Sequence, residues 1–149
     1  LQVAAIVAVN ACGNVVDYET NELLAGVYDS HSGSVLKAQD VLFQQMDALR
    51  KLPEGNTTIG CIVTNAKLDK AQCTKIAGIA HNGYARAIHP VHTMSDGDSI
   101  FVLSSGEVEV MADAVGMLAT EMMAKAIKRA VLHAESAYGL PAHSDVICK

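Results

Sequence analysis

The segment Glu54-Gly55-Asn56-Thr57-Thr58-Ile59-Gly60 joins a short loop to an apolar, β-branched strand. Threonine is favoured as the first residue of a strand, and Gly-Asn before it is ordinary turn chemistry. The same junction is also suited to a nucleophile that a precursor buries and that is exposed when the preceding peptide bond breaks. An N-terminal threonine then carries its own general base, the α-amine. The residues of this segment leave both interpretations open.

A second segment, like the first, places a turn directly before an apolar strand. Ser95-Asp96-Gly97-Asp98 places two carboxylates in a turn before another apolar strand, Ser99 to Leu103. Asp-Gly is a standard turn, and two acids in a turn are usually solvated. The alternative is a pair of carboxylates that serves a catalytic site.

Composition narrows the class of protein. The chain has 149 residues, of which 50% are hydrophobic, enough for one domain with a real core. A net charge of −5 gives no basic surface for nucleic acid. The four cysteines show no metal-binding spacing, so we expect reduced thiols, a cytoplasmic protein, and neither metal nor cofactor.

The first apolar run, Val3 to Val9, reads as a strand covered on both faces. It is too short to span a bilayer and has no basic leader, so we expect no membrane association. Because a protein rarely starts at a core strand, we expect the chain to be the later part of a longer polypeptide.

Apolar periodicity predicts an α/β layered class in one structural domain. Further strands are predicted at 15–18, 58–64 and 100–103, the last closed by Ser104-Ser105-Gly106, with a loop at 19–34. Helices are predicted at 35–51, from Asp69 to Pro90, and at 110–137. Asp69 with Gln72 forms a capping-box pattern at the start of the second helix. The stripe expected to be buried on the last helix is Met111, Ala114, Val115, Leu118, Met122, Ala126, Ala130 and Ala134.

Histidine motifs are less informative. His89 and His92 flank Pro90 at a spacing at which two imidazoles share a metal, but no further ligand lies beside them in the sequence. His81 reads as a residue on the flank of a helix. The sequence contains no HExxH, GxSxG, Walker A or GxGxxG motif, which disfavours metalloproteases, nucleophile-elbow esterases and nucleotide enzymes.

Taken together, several motifs resemble the self-cleaving L-aminopeptidase/D-amidase-esterase (DmpA-like) family, and most closely its nylon-oligomer hydrolase branch. The resemblance covers essentially the whole chain. The motifs that carry it are, in order, VAAIVAVN at 3–10, GNTTIG at 55–60, TNA at 64–66, AHNGYARAI at 80–88, PVHT at 90–93 and DGD at 96–98.

The resemblance implies an αββα sandwich and a precursor that cleaves itself between Asn56 and Thr57. Residues 57–149 would then form the small subunit, and residues 1–56 the tail of the large one. Such enzymes are expected to be homo-oligomers. The family also carries a catalytic lysine upstream of the first strand, in a region that this chain lacks, so the missing upstream part of the precursor would be needed to complete the substrate pocket.

The resemblance also implies roles for individual residues. Thr57 would become the nucleophile, and Asn10 would help to stabilise the oxyanion. Asp96 and Asp98 match an acidic pair near the nucleophile. The chemistry agrees, because a free α-amine with a pKa of about 7.7–8.0 is partly unprotonated near neutral pH and can take the hydroxyl proton.

The leading hypothesis is therefore an amide or peptide hydrolase, aminopeptidase-like, that acts on small peptides or amides through an acyl-enzyme. One rival is an acetyl transferase of similar fold with a threonine nucleophile. Another is a non-catalytic assembly module that kept the sandwich without the upstream half of the site.

Overall fold

A computed structural model describes residues 1–44 and 55–146. The strands are β1 (Val3–Ala8), β2 (Asn14–Val16), β3 (Leu23–Ala25), β4 (Val27–Asp29), β5 (Ser34–Leu36), β6 (Ile59–Ala66), β7 (Ile88–His89) and β8 (Ser99–Val108). The helices are α1 (Ala38–Gln44), α2 (Lys70–Ala87), α3 (Ala112–Leu132) and α4 (His143–Val146). The predicted α/β class is confirmed.

The main sheet has the strand order β1-β6-β8. β1 runs antiparallel to β6, and β6 runs parallel to β8, with α2 as the connection between the two parallel strands. Ile59 pairs with Ser99 at the start of these strands. The register therefore brings the Thr57 junction beside the Asp96-Gly97-Asp98 turn.

The core lies between one face of the main sheet and the helices α2 and α3. Alternate residues of β6 are buried, as expected for a strand with one covered face. The largest fully buried side chains of the core cluster are Tyr84, Ile62, Ile76, Ile88, Met123, Ile127 and Val115.

The opposite face of the main sheet is apolar and exposed. Ile6, Cys61 and Phe101 lie side by side across it, and Ile6 is 69% exposed and Phe101 62% exposed. The first strand was expected to be covered on both faces, and within the described residues one of its faces is covered and the other is exposed. Its side chains alternate between half-buried and exposed, because the described residues pack on one face only.

Helix α2 begins as the sequence predicts. The Asp69 carboxylate accepts a hydrogen bond from the Gln72 backbone N–H, and the Gln72 side chain accepts one from Asp69 N–H. This capping box satisfies two backbone donors that the first turn leaves free. The helix ends at Ala87, shortly before Pro90.

Helix α3 buries a different stripe from the predicted one. Of the predicted residues only Val115 is buried, whereas Met111 is 74% exposed. The buried residues are Val115, Gly116, Ala119, Thr120, Met123, Ala124 and Ile127. The prediction failed because α3 is apolar on several sides, so its periodicity does not single out one face.

The predicted loop at 19–34 is wrong in part. It contains β3, β4 and the start of β5, where β3 pairs with β2 and β4 pairs with β5. Strands of three residues are too short to show alternation, and Gly, Ser and Asp around them favour a loop assignment.

The boundaries of two other elements also differ from the prediction. β8 continues to Val108 through the predicted Ser104–Gly106 stop, and the predicted helix at 35–51 is α1 up to Gln44, with 45–51 outside the described residues.

Candidate active site

Thr57 lies where the loop after residue 55 meets the main sheet. Its backbone N–H donates to the backbone carbonyl of Asn10, just past the end of β1, over 2.9 Å. Its hydroxyl Oγ1 donates to the carbonyl oxygen of Asn56 over 2.7 Å. The hydroxyl therefore lies against the peptide bond that precedes its own residue.

The Asn56 carbonyl has a second donor. The backbone N–H of Gly97 donates to it over 2.9 Å, and Asn56 forms an isolated parallel bridge with Asp96. A Cβ added at Gly97 would lie 2.8 Å from Thr57 Oγ1. Gly97 thus polarises the carbonyl and leaves room for the hydroxyl. The sequence reasoning missed this role, although the Asp-Gly-Asp motif marked the turn.

Asn10 reaches the site through its backbone and its side chain. Its backbone carbonyl accepts from Thr57 N–H, and its side-chain Nδ2 donates to the Gly55 carbonyl over a long 3.4 Å. The side-chain amide is therefore directed at the Gly55 carbonyl, one residue away from the Asn56 carbonyl.

The two carboxylates have separate partners. Asp96 Oδ2 accepts from Thr93 N–H over 2.7 Å, which closes its own turn. Asp98 Oδ1 accepts from Thr58 N–H over 2.9 Å, and its Oδ2 lies 3.2 Å from Nδ1 of His92. The structure brings both acids to the junction. Thr57 N–H donates to the Asn10 carbonyl, and neither carboxylate accepts from it.

Thr58 is buried, whereas Thr57 is partly exposed. The Thr58 side chain is 1% exposed, and among the described residues its Oγ1 has no hydrogen-bond partner. Its carbonyl accepts from Ser99 N–H and from the Tyr84 hydroxyl, at 3.1 Å and 3.2 Å. The backbone of Thr58 is therefore held on both sides, while its hydroxyl is enclosed.

Three aromatic rings pack beside Asp98. The ring centroid of His81 lies 5.3 Å from that of Tyr84 and 5.1 Å from that of His92. Burial and the neighbouring His92 lower the pKa of His81. Burial, followed by the Asp98 charge, raises the pKa of Tyr84, so its hydroxyl stays protonated as a donor. His89 is directed elsewhere, to the Ala85 carbonyl, so His89 and His92 do not share a partner.

A cavity of about 1020 Å³ borders the junction. Asn10 and Asn56 form part of its wall, and Glu135 and His143 are ionisable groups on the wall. Apolar lining residues from several elements include Val27, Val41, Leu42, Val131 and Leu140. Cys12 also lines it, and burial, with a smaller effect of Asp96, raises the pKa of its thiol.

Within residues 1–44 and 55–146, no three His, Cys, Asp or Glu side chains are grouped so that they could hold a metal ion. Cys12, Cys61 and Cys73 are free thiols, and Cys148 lies outside the described residues. None of the described helices has the length and apolar character needed to cross a membrane.

The sequence was compared with protein-family models, and the model of peptidase family S58 matches residues 1–144. The chain belongs to peptidase family S58. The resemblance to the DmpA-like family is thereby confirmed.

Proteins of similar sequence have names that agree with this assignment. An uncharacterized aminopeptidase of Mycobacterium bovis is 36% identical over 167 aligned positions, which cover 97% of this chain and 47% of the relative. An uncharacterized aminopeptidase of Mycobacterium leprae is 35% identical, over 95% of this chain and 43% of the relative. A 6-aminohexanoate-oligomer endohydrolase of Paenarthrobacter ureafaciens is 29% identical, over 87% of this chain and 41% of the relative. The chain thus spans less than half the length of these relatives.

Proposed function

We propose that this chain is the nucleophile-bearing part of a self-cleaving amide and peptide hydrolase. The observation that carries the proposal is the Asn56 carbonyl, which accepts hydrogen bonds from both Gly97 N–H and Thr57 Oγ1. A carbonyl polarised by a fixed backbone donor, with a hydroxyl against it, is arranged for attack by that hydroxyl.

Self-cleavage would proceed through an ester. Thr57 Oγ1 attacks the Asn56 carbonyl carbon, and the Oγ1–C bond forms while the C–N bond to Thr57 breaks. The hydroxyl proton ends on the Thr57 nitrogen, which becomes a free amine. Water then hydrolyses the ester and leaves a carboxylate on Asn56 and a free hydroxyl on Thr57. Gly97 N–H would hold the developing oxyanion, as backbone donors do in acyl transfer.

Turnover of substrate would use the new N-terminus. The α-amine of Thr57 takes the hydroxyl proton as Oγ1 attacks the substrate amide, and an acyl-enzyme forms that water hydrolyses. Asn10 would supply a side-chain N–H to the oxyanion once the Gly55–Thr57 connection is broken. Asp96 and Asp98 would orient the amine and hold its protonated form. These roles remain proposals.

The cavity beside Asn10 and Asn56 would take the acyl part of the substrate. Its size suits a small peptide or a linear amide, and its walls are largely apolar. The relatives, which are named as aminopeptidases and an oligomer endohydrolase, support this class of substrate.

The exposed apolar face of the main sheet supports the proposed αββα sandwich. A sheet face that carries Ile6, Phe101 and Leu103 needs a second layer to cover it. The upstream part of the protein would supply that layer and complete the pocket, with residues 1–56 as the tail of its subunit. Assembly into a homo-oligomer is an expectation from the family.

The proposal is tested by Thr57→Ala in the full-length protein. Wild type should separate into two bands on a denaturing gel, and intact mass should show a fragment that starts at Thr57. Thr57→Ala should give one uncut band, because no hydroxyl remains to attack Asn56. Thr57→Ser keeps a hydroxyl and should still be cut. Cleavage of Thr57→Ala at the same bond would rule out intramolecular attack, and an uncut wild type would favour a non-catalytic module.

A further inference from the structure

Asp98 is a buried carboxylate with a defined partner on each oxygen. Its side chain is 6% exposed, Oδ1 accepts from Thr58 N–H, and Oδ2 faces Nδ1 of His92. A buried charge is costly unless its oxygens are paired. Each partner of this carboxylate therefore helps to determine where it lies.

The Thr58 amide that Asp98 holds is one peptide unit beyond the Asn56–Thr57 bond. The carbonyl of Thr58 is held from the other side by Tyr84 and by Ser99 N–H. Together these contacts fix the backbone that carries the Thr57 hydroxyl. If Asp98 turned away, Thr58 N–H would lose its acceptor, and the backbone next to Thr57 would lose one of the contacts that set the direction of the Thr57 hydroxyl.

His92 is itself held in place by its surroundings. Its backbone has a φ of 56°, in the left-handed region that few non-glycine residues adopt. Its ring packs edge-on against His81 at 5.1 Å and is tilted against Tyr84 at 6.2 Å. The His92 side chain is 41% exposed, and the two ring neighbours on its covered side, together with the backbone conformation, direct its Nδ1 at Asp98 Oδ2.

We propose that His92 is a positioning residue for self-cleavage. It holds the Asp98 carboxylate on Thr58 N–H through Nδ1, and so keeps the Thr57 hydroxyl against the Asn56 carbonyl. The inference rests on the proposed function, because it concerns the same peptide bond. His92 acts through Asp98 and does not touch the reacting atoms.

The test replaces His92 in the full-length protein and follows the fraction of cut chain with time on a denaturing gel. His92→Asn keeps a side-chain N–H on an atom bonded to Cγ, which is the position of Nδ1 in histidine. Asparagine also tolerates a positive φ. His92→Gly removes the donor and relieves the backbone, so slow cleavage in this variant cannot be attributed to strain. His92→Gln carries its amide nitrogen one bond further out. His89→Asn is the matched control, because His89 bonds the Ala85 carbonyl outside the site.

We expect His92→Asn and His89→Asn to be cut at about the wild-type rate. His92→Gly and His92→Gln should be cut about 10-fold more slowly or worse, since small misplacements of reacting groups cost up to about 10²-fold. Melting temperatures of the same variants, measured in the uncut Thr57→Ala background, show whether they are folded. If the Gly variant is unfolded, the Gln variant decides.

Two results would overturn the inference. One is wild-type cleavage in the Gly or Gln variant, and the other is an Asn variant as slow as the Gly variant. With either result, self-cleavage would still depend on the Thr57 hydroxyl. Failure of the proposed function looks different, because the Thr57→Ala chain would then be cut.

Discussion

Gly97 lies against both groups that would react in the proposed self-cleavage. Its N–H reaches the Asn56 carbonyl, and the space where a Cβ would stand is occupied by Thr57 Oγ1, at 2.8 Å. We expect Gly97→Ala to turn the small Thr57 side chain aside rather than to unfold the protein. Self-cleavage, measured by gel time course, should slow by about 10²-fold, the cost of misplacing a reacting group.

The control for this substitution is Gly78→Ala. A Cβ at Gly78, on the exposed side of α2, has no atom within 4 Å. Its cleavage should equal that of wild type. Equal cleavage in Gly97→Ala and wild type would show that the close approach at Gly97 does not matter for the reaction.

Thr58 provides a second test of which hydroxyl is the nucleophile. Its Oγ1 is buried and has no partner among the described residues, so the hydroxyl brings a desolvation cost without a hydrogen bond. Thr58→Val replaces it with a methyl group of similar shape. We expect full cleavage and a free energy of unfolding that is unchanged or raised by about 1 kcal/mol, from denaturant titration. An uncut Thr58→Val chain would reverse the assignment of Thr57.

Two glycines of helix α2 have opposite surroundings. A Cβ at Gly83 would lie 2.6 Å from the Thr120 carbonyl oxygen of α3 and 2.8 Å from the Met123 Cβ. One neighbour is a backbone atom and the other is a Cβ, so neither can move unless the packed helix α3 shifts as well. Gly83 therefore sets how closely α2 and α3 approach.

We expect Gly83→Ala to lower the free energy of unfolding by about 1–3 kcal/mol, because it overpacks this contact. Gly78→Ala should raise it by up to about 1 kcal/mol, because an exposed helical glycine is replaced by a better helix former. Denaturant titration of both variants in the uncut Thr57→Ala background measures the difference. Equal stability of the two variants would mean that the helices separate at little cost.

The exposed apolar face of the main sheet is the place where the proposed second layer would pack. Phe101 and Leu103 are 62% and 59% exposed among the described residues. If the upstream part of the protein covers them, a charge placed there would be buried without a partner. If the face stays bare, the same charge would cost little.

We therefore expect Phe101→Lys to destabilise the full-length protein by more than about 2 kcal/mol, as buried unpaired charges do. Met117→Lys is the control, because Met117 is 74% exposed on α3, away from that face, and it should change stability by less than about 0.5 kcal/mol. Melting and denaturant curves of the two variants give the comparison. A Phe101→Lys protein as stable as wild type would contradict the second layer.

Features that depend on neighbouring residues could be predicted from the amino-acid sequence. The first and second main strands, the capping box at Asp69 and the end of α2 before Pro90 follow from local patterns and were predicted within a few residues. The motifs also identified the family. The catalytic roles of Thr57, Asn10, Asp96 and Asp98 stay predictions.

Features that depend on residues far apart in the chain are set by long-range pairing and packing. The parallel pairing of β6 with β8 brings Gly97 onto the Asn56 carbonyl and Asp98 onto the Thr58 amide, and no local pattern contains that register. The buried face of α3 was likewise set by its packing on α2 and the sheet, because an apolar helix has several faces that can be buried. Backbone donors and packing contacts carry no residue-type signal, so local patterns could mark the turn at Asp96–Asp98 but not its contacts with Asn56 and Thr58. That the acidic pair lies near Thr57 was implied only by the family resemblance.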